Sequence, residues 1–389
     1  MKKKKQPLKI LYVVKSLPDS FKGGIQTHIW ELTRCMMELG HEVTILSAGS
    51  LRKGPERYKE DGREIIKIPY LPGRKMPFLK MTLEELNFNV AARNWIRRNG
   101  KDYDVIHLQG RSGTLISRRM MRKVPTVVTF HGLISVETRH FHGMKRWTLD
   151  RRLHQWMATR FEKRPLKDFA GIICVSQEMR KSLELVHKVD PNKTQIIYNG
   201  IDTNIALANG ELDPNLLVYV GRIDWRKGVF TLLDAMKNLH EKIKLVVIGD
   251  GPAMPEIRAE VQNAGLGQRV NLLGSQNHSE IYAWLRKAYA LVLPSFYETQ
   301  GIVLMEANVL GRPVIGCNVP GVNEVVIDGH NGLLVPPGKA DQLAESMQYL
   351  IEHPEMAKEM GINGRKRMEE IFQWDEIARQ TEDFYYKIR

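Results

Sequence analysis

The sequence has little cysteine: three in 389 residues, Cys35, Cys174 and Cys317, far apart and without CxxC spacing. That excludes a disulfide framework and a cysteine zinc site, and it fits a reducing cytoplasm. Long apolar runs are also missing. The longest, such as LKILYVV from residue 8 and LLVYVG from residue 216, stop well short of the ~18 residues that a spanning helix needs, so a soluble chain is expected. MKKKKQPLKILYVVK opens like a secretory signal, but Lys15 breaks its apolar run and no small-residue cleavage site follows. No short-period repeat occurs, and no low-complexity tract beyond KKKK.

What is present is the material of a globular protein. Hydrophobic residues make up 43% and charged residues 26%, enough to fill a core, and the length suggests two domains. The net charge of +14 is unevenly spread. Residues 1–205 hold 39 Lys and Arg against 20 Asp and Glu, whereas residues 206–389 hold 19 against 24. The whole basic excess lies in the first half, which points to an anionic partner there: a membrane surface, a phosphorylated acceptor or nucleic acid.

Hydrophobic patterning organises the chain. LKILYVV (8–14), a loop KSLPDSFKGG, the helically spaced IQTHIWELTRCMMELG and the strand-like HEVTILS (41–47) form a βαβ unit, which implies a parallel sheet. DVIHLQ, TVVTFHG, GIICVS and QIIYNGID (195–202) continue it. After a weakly patterned stretch at 203–215, a second series runs through LLVYVGR, KLVVIGDG, VNLLG, ALVLPS, PVIG and GLLVP. Two Rossmann-like, doubly wound α/β domains facing a cleft are therefore expected, 1–202 and 203–372. The amphipathic segment at 373–389 is a packing helix expected to return to the first domain. In such sheets ligands sit beyond the C-terminal ends of the strands.

The chemistry concentrates in PSFYETQGIVLMEA (294–307). Glu298, Thr299 and Gln300 fall in a strand-to-helix turn, and the helix that opens near Gly301 offers unsatisfied N–H groups to an anion. A carboxylate beside an anion site is tolerable if it reaches past the anion to hydroxyl groups, as a sugar carrying a diphosphate would allow. Glu306 lies within an apolar helical stretch and needs hydrogen-bond partners, for which a ribose diol or a structural network would serve. GRIDWRKG places Arg222 and Lys227 on a loop at the same sheet edge, where guanidinium and ammonium groups suit phosphate.

The ordered set GRIDWRKG, VIGDGP, PSFYETQGIVLMEANVLGRPVIG and PGVNEVVIDGHNGLLVPPG resembles the retaining glycosyltransferases of the GT-B fold, in particular glycosyltransferase family 4, whose E-x7-E signature the two glutamates match. The resemblance covers essentially the whole chain, including the Gly23–Gly24 loop, YDVIH and YNGID. It implies that Arg222 and Lys227 bind the diphosphate of a nucleotide-sugar and that Glu298 contacts sugar hydroxyls. The backbone of Thr299, Gln300, Gly301 and Ile302 would hold sugar and phosphate, and Glu306 the ribose. Gly24, with Gly23, would approach the phosphates, and His131 the reacting carbon of the donor sugar. Thr299 and Gln300 stand where many members have Gly-Phe, which changes the hydroxyl and amide groups expected to face the sugar. PGVNE (320–324) replaces a frequent double glycine but retains Gly321.

No cofactor and no metal are expected. The D-x-D at Asp102–Asp104 precedes the strand VIHL, so it belongs at the opposite sheet edge as capping chemistry, and Arg222 and Lys227 can neutralise a leaving diphosphate. The implied reaction transfers a sugar from a UDP- or GDP-sugar to an acceptor hydroxyl with retention. A glycosidase using the two glutamates as nucleophile and acid would leave the cations without a purpose. A nucleotide-sugar epimerase and a basic nucleic-acid-binding protein are the rival readings; no RRM, KH or helix-turn-helix signature supports the latter. Residues 139–167 carry nine Lys or Arg interleaved with Phe141, Trp147, Trp156 and Phe161. They suit an anionic membrane at the inner face of the cell, and with it a lipid-linked, phosphorylated or glycan acceptor of envelope polysaccharide or glycolipid synthesis. The alternative is a solvated basic helix with its aromatics in the core.

Overall fold

The computed structural model describes residues 5–18, 24–73, 79–133, 149–163, 166–205 and 212–389. The chain forms two compact units, Met1–Tyr198 with Trp374–Arg389, and Asn199–Gln373. The boundary expected at 202 thus moves to 198. Asn199 groups with the second unit because its backbone N–H and side-chain amide both donate to Gln300 Oε1, at 2.8 and 2.7 Å, and Ile201 pairs with Gln373.

The first unit is built on an eight-stranded sheet. Its strands are β1 (Lys9–Val13), β2 (Glu42–Ser50), β3 (Glu56–Glu60), β4 (Arg63–Tyr70), β5 (Val105–Gln109), β6 (Thr126–Phe130), β7 (Gly171–Cys174) and β8 (Thr194–Ile196). Their order is β3-β4-β2-β1-β5-β6-β7-β8, parallel throughout except where β3 runs antiparallel to β4. The β3–β4 hairpin closes on Asp61 and Gly62, both at positive φ (47° and 83°), the conformation a tight two-residue turn demands. QIIYNGID shortens to β8, and its remainder becomes the crossing into the second unit. Helices Gly24–Glu38 and Trp374–Ile388 pack on each other over one face of the sheet, burying Ile29, Leu32, Ile377, Phe384 and Tyr385 against β1 and β2. Strand order reverses between β1 and β5, which makes the loops after these strands the unit's natural binding edge. Asp104 sits at the other edge, where it accepts from the Lys9 N–H at 2.9 Å and from Arg389 at 2.8 Å.

The second unit carries six parallel strands: β9 (Leu216–Val220), β10 (Lys244–Ile248), β11 (Val270–Gly274), β12 (Ala290–Leu293), β13 (Val314–Cys317) and β14 (Gly332–Val335), ordered β11-β10-β9-β12-β13-β14. β9 and β12 are buried along their full length, as expected for strands covered on both faces. Here the reversal lies between β9 and β12. Both units are therefore doubly wound α/β, the expected class. No helix among the described residues is long and apolar enough to cross a membrane.

Candidate functional site

In the second unit, four loops meet at the C-terminal edge of the sheet, and glycines let their backbones touch. A Cβ on Gly228 would lie 2.0 Å from the carbonyl oxygen of Pro294, and one on Gly249 would lie 1.9 Å from that of Gly221. Both positions have positive φ, so no other residue fits without strain. Gly321 closes the cluster in the same way, since a Cβ there would stand 2.6 Å from the Glu298 carbonyl oxygen. The loops after β9 and β12 are joined further by the Phe296 N–H donating to the Arg226 carbonyl at 2.8 Å.

These contacts bring expected site residues together across the strand reversal. Lys227 Nζ lies 2.6 Å from Glu298 Oε1, which also accepts from Ser295 Oγ at 3.0 Å. Arg222 lies on the same loop as Lys227, its side chain 65% exposed and its Nε 3.9 Å from Asp224. Asp224 caps the short turn Trp225–Lys227 and pairs with Arg226, which holds the basic loop in shape. Gly301, left-handed at φ 67°, precedes the helix Ile302–Val309, whose first turn receives no side-chain cap. That helix start directs its partial positive charge into the loop cluster.

Two expectations change. The Gln300 amide does not face the loop cluster: its side chain is 1% exposed, accepts both hydrogen bonds from Asn199 and donates to the Asn199 carbonyl at 3.1 Å. It therefore offers the site only its backbone, whereas Thr299 stays half-buried. Glu306 has a protein partner that the apolar helix pattern did not reveal. His278 Nε2 lies 3.1 Å from Glu306 Oε1, and its ring rests tilted against Tyr282 with ring centroids 4.5 Å apart.

The first unit places Gly24 exposed at the start of its helix after β1, while Gly23 lies outside the described residues. His131 follows β6, half-buried, with Nε2 2.9 Å from Gln109 Oε1. Of the basic segment 139–167, residues 139–148 and 164–165 lie outside the described residues. The helix Leu149–Lys163 shows Arg152, Trp156, Arg160 and Lys163 exposed on one stripe, with Trp156 57% exposed and the Arg160 guanidinium over its ring at 4.8 Å. Its inner side buries Met157, Ala158 and Glu162. Trp156 is thus not a core aromatic.

The chain matches two family descriptions, Glycosyltransferase Family 4 over residues 22–205 and Glycosyl transferases group 1 over residues 202–367. It is 29% identical to an uncharacterized glycosyltransferase of Methanocaldococcus jannaschii, covering 94% of this chain and 95% of that protein. Identity is 28% to the alpha-maltose-1-phosphate synthase of Mycolicibacterium smegmatis, over 98% and 100%. The structure of a sucrose-phosphate synthase from Thermosynechococcus elongatus superposes with a TM-score of 0.82 at 26% identity, covering 98% and 99%. The chain therefore belongs to the GT-B glycosyltransferases of group 1 and family 4.

Proposed function

We propose that this glycosyltransferase moves a sugar from a UDP- or GDP-sugar to an acceptor hydroxyl with retention at the anomeric carbon and without a metal. The observation that carries the reading is the Lys227–Glu298 pair at the strand reversal of the second unit, beside exposed Arg222 and an uncapped helix start. A diphosphate draws Lys227 and Arg222 to its oxygens and takes the helix N-terminus as a further donor. Glu298, held by Ser295, then accepts from sugar hydroxyls, and Glu306 from the ribose diol. Gly24 and His131 of the first unit complete the donor contacts.

Departure of the diphosphate is assisted by the two cations, which supply the charge neutralisation that a metal would otherwise provide. The acceptor oxygen attacks from the face that the phosphate leaves, and the departing phosphate oxygen takes its proton. Once Lys227 turns to the diphosphate, Glu298 keeps its bond from Ser295 and suits hydroxyl binding better than nucleophilic attack. The basic stripe around Trp156 supports an acceptor that is lipid-linked or phosphorylated, reached by a cytoplasmic enzyme lying against an anionic inner membrane surface. The maltose-1-phosphate and sucrose-phosphate synthases among the relatives are, by name, enzymes of phosphate-bearing sugars.

The test is a thermal-shift panel of UDP-, GDP- and ADP-sugars followed by product analysis. A donor at 100 times its dissociation constant adds about 2.7 kcal/mol of stability. Stabilisation by one nucleotide series and an acceptor product with the donor's anomeric configuration are expected. An inverted product would overturn retention, and conversion of the donor sugar without acceptor would reveal an epimerase.

A further inference from the structure

A run of polar side chains threads the core of the first unit and ends on His131. Tyr12 and Tyr385 meet hydroxyl to hydroxyl at 3.0 Å, and the Tyr385 oxygen lies 2.5 Å from His107 Nδ1. On the other side of the His107 ring, Nε2 lies 2.7 Å from Thr129 Oγ1 and 3.4 Å from Gln109 Nε2. Gln109 Oε1 then reaches His131 Nε2 at 2.9 Å. Tyr12, Tyr385, His107, Thr129 and Gln109 are each at most 2% exposed. Polar groups so deeply buried must satisfy one another, so the direction of the Gln109 amide sets the direction of every other bond in the run.

The accounting starts at His107. Burial, with the neighbouring His131, pushes its imidazole down to about 3, so the ring is neutral and has one N–H and one lone pair. Thr129 and the Gln109 amide NH2 both donate toward Nε2, which places the lone pair there. The ring proton is then on Nδ1 and is donated to Tyr385, whose hydroxyl donates on to Tyr12. With its NH2 turned to His107, the Gln109 amide presents its carbonyl to His131. A carbonyl only accepts, so the His131 proton must sit on Nε2.

We propose that Gln109, held by His107, is a positioning residue that keeps His131 in the Nε2–H form, making Nδ1 the ring's hydrogen-bond acceptor. This rests on the reading above that His131 meets the donor sugar: an acceptor at Nδ1 selects a hydroxyl there. Which imidazole nitrogen carries the proton is set by the bond the other makes: in the Nε2–H form Nδ1 takes the hydroxyl's hydrogen bond, whereas the other tautomer would donate to the hydroxyl oxygen instead. The groups around His131 include the His28 ring, 4.6 Å away, and His107 through the amide.

The experiment uses the full chain labelled with 15N-histidine and long-range 1H–15N correlation, with the His131 signals assigned by their loss in His131→Asn. The expected result is a protonated Nε2 and an unprotonated Nδ1 at neutral pH; a dominant Nδ1–H form would overturn the proposal. Gln109→Leu should give a tautomer mixture and lower kcat about tenfold, the scale of one mispaired hydrogen bond. Gln109→Glu keeps an acceptor toward His131, so it should retain the Nε2–H form and raise the ring's titration midpoint, carrying the acid limb of the activity profile with it. An unchanged tautomer and pH profile in both variants would refute the role. Should Gln109→Leu not fold, the wild-type spectrum and Gln109→Glu still decide. Confirmation of the tautomer without transfer from any nucleotide-sugar would leave the relay standing and reject the donor role of His131.

Discussion

Lys227 and Glu298, 71 residues apart in sequence, meet at 2.6 Å across the point where the strand order of the second unit reverses. A cation held in advance by a carboxylate costs little to reorganise when a diphosphate arrives. Lys227→Ala and Arg222→Ala are each expected to lower kcat by about 10² to 10³, the scale for removing one electrostatic stabiliser of a developing charge. Steady-state kinetics with the donor found by thermal shift would check this. Turnover near wild type in either variant would reject the assignment.

Gln300→Ala removes the acceptor for two buried Asn199 donors. Each orphaned buried group costs about 1–3 kcal/mol, so the loss should be about 2–6 kcal/mol. For a unit of this size it would lower Tm by roughly 4–24 °C. Differential scanning calorimetry measures it directly, and an unshifted transition would show that the Asn199 tie carries no stability.

Gly321→Ala tests the loop cluster by sterics alone. The added methyl would stand 2.6 Å from the Glu298 carbonyl oxygen at a backbone φ of 84°, so the Glu298–Thr299 peptide must shift. A displacement on the ångström scale is expected to lower kcat/KM about 10²-fold while the far-UV circular dichroism stays that of the wild type. Unimpaired kinetics would mean that this peptide does not position the substrate.

Acid should unfold the first unit through two buried groups. His107 binds its proton at about 3 in the fold against an ordinary value of 6.5; its contribution is whole above pH 6.5 and is lost as pH falls toward 3. For Glu85, burial pushes the carboxyl up, but the His154 hydrogen bond and the Arg111 charge outweigh it and hold it at about 2 against 4.5. Its contribution is lost between pH 4.5 and 2. The unfolded chain takes up the proton first in both cases, so stability falls as pH falls, by at most about 1.4 kcal/mol per unit for each group. Urea midpoints of wild type and His107→Asn should converge as pH drops from 6.5 to 4.5; parallel curves would contradict a neutral buried His107.

The stripe of Arg152, Trp156, Arg160 and Lys163 predicts sedimentation with anionic vesicles. Basic residues near an anionic surface contribute about 1 kcal/mol each, so replacing the three cations with glutamine should weaken binding about 10²-fold. Trp156→Ala should weaken it further. Equal recovery of wild type with neutral and anionic vesicles would dismiss the docking face.

The sheets and the loops at their edges were legible because buried parallel strands read as short apolar runs, each followed by glycine and charge. What escaped was whatever depended on distant partners. Gln300 reads as ligand-facing beside Glu298, yet its partner Asn199 lies 101 residues away. Glu306 gave no sign of His278, 28 residues upstream. β3 and β4 both went unread, β3 because ERYKE is a half-wet edge strand without apolar alternation and β4 because charge and proline break up the apolar run of REIIKIPY, and only the turn pair Asp61–Gly62 betrays their hairpin. Gln109 and His107 alternate correctly on β5, but a polar residue on a central strand shows its purpose only once Tyr385 arrives from the far end of the chain.

That far end has a consequence for biosynthesis. The first unit contains Trp374–Arg389, so its sheet face, and the hydroxyl that closes the run to His131, cannot be completed until the second unit has already emerged from the ribosome. The second unit, an uninterrupted stretch from Asn199 to Gln373, can finish first although it is made later. A chain truncated after residue 373 would therefore carry a settled C-terminal half and an N-terminal half without its last helix.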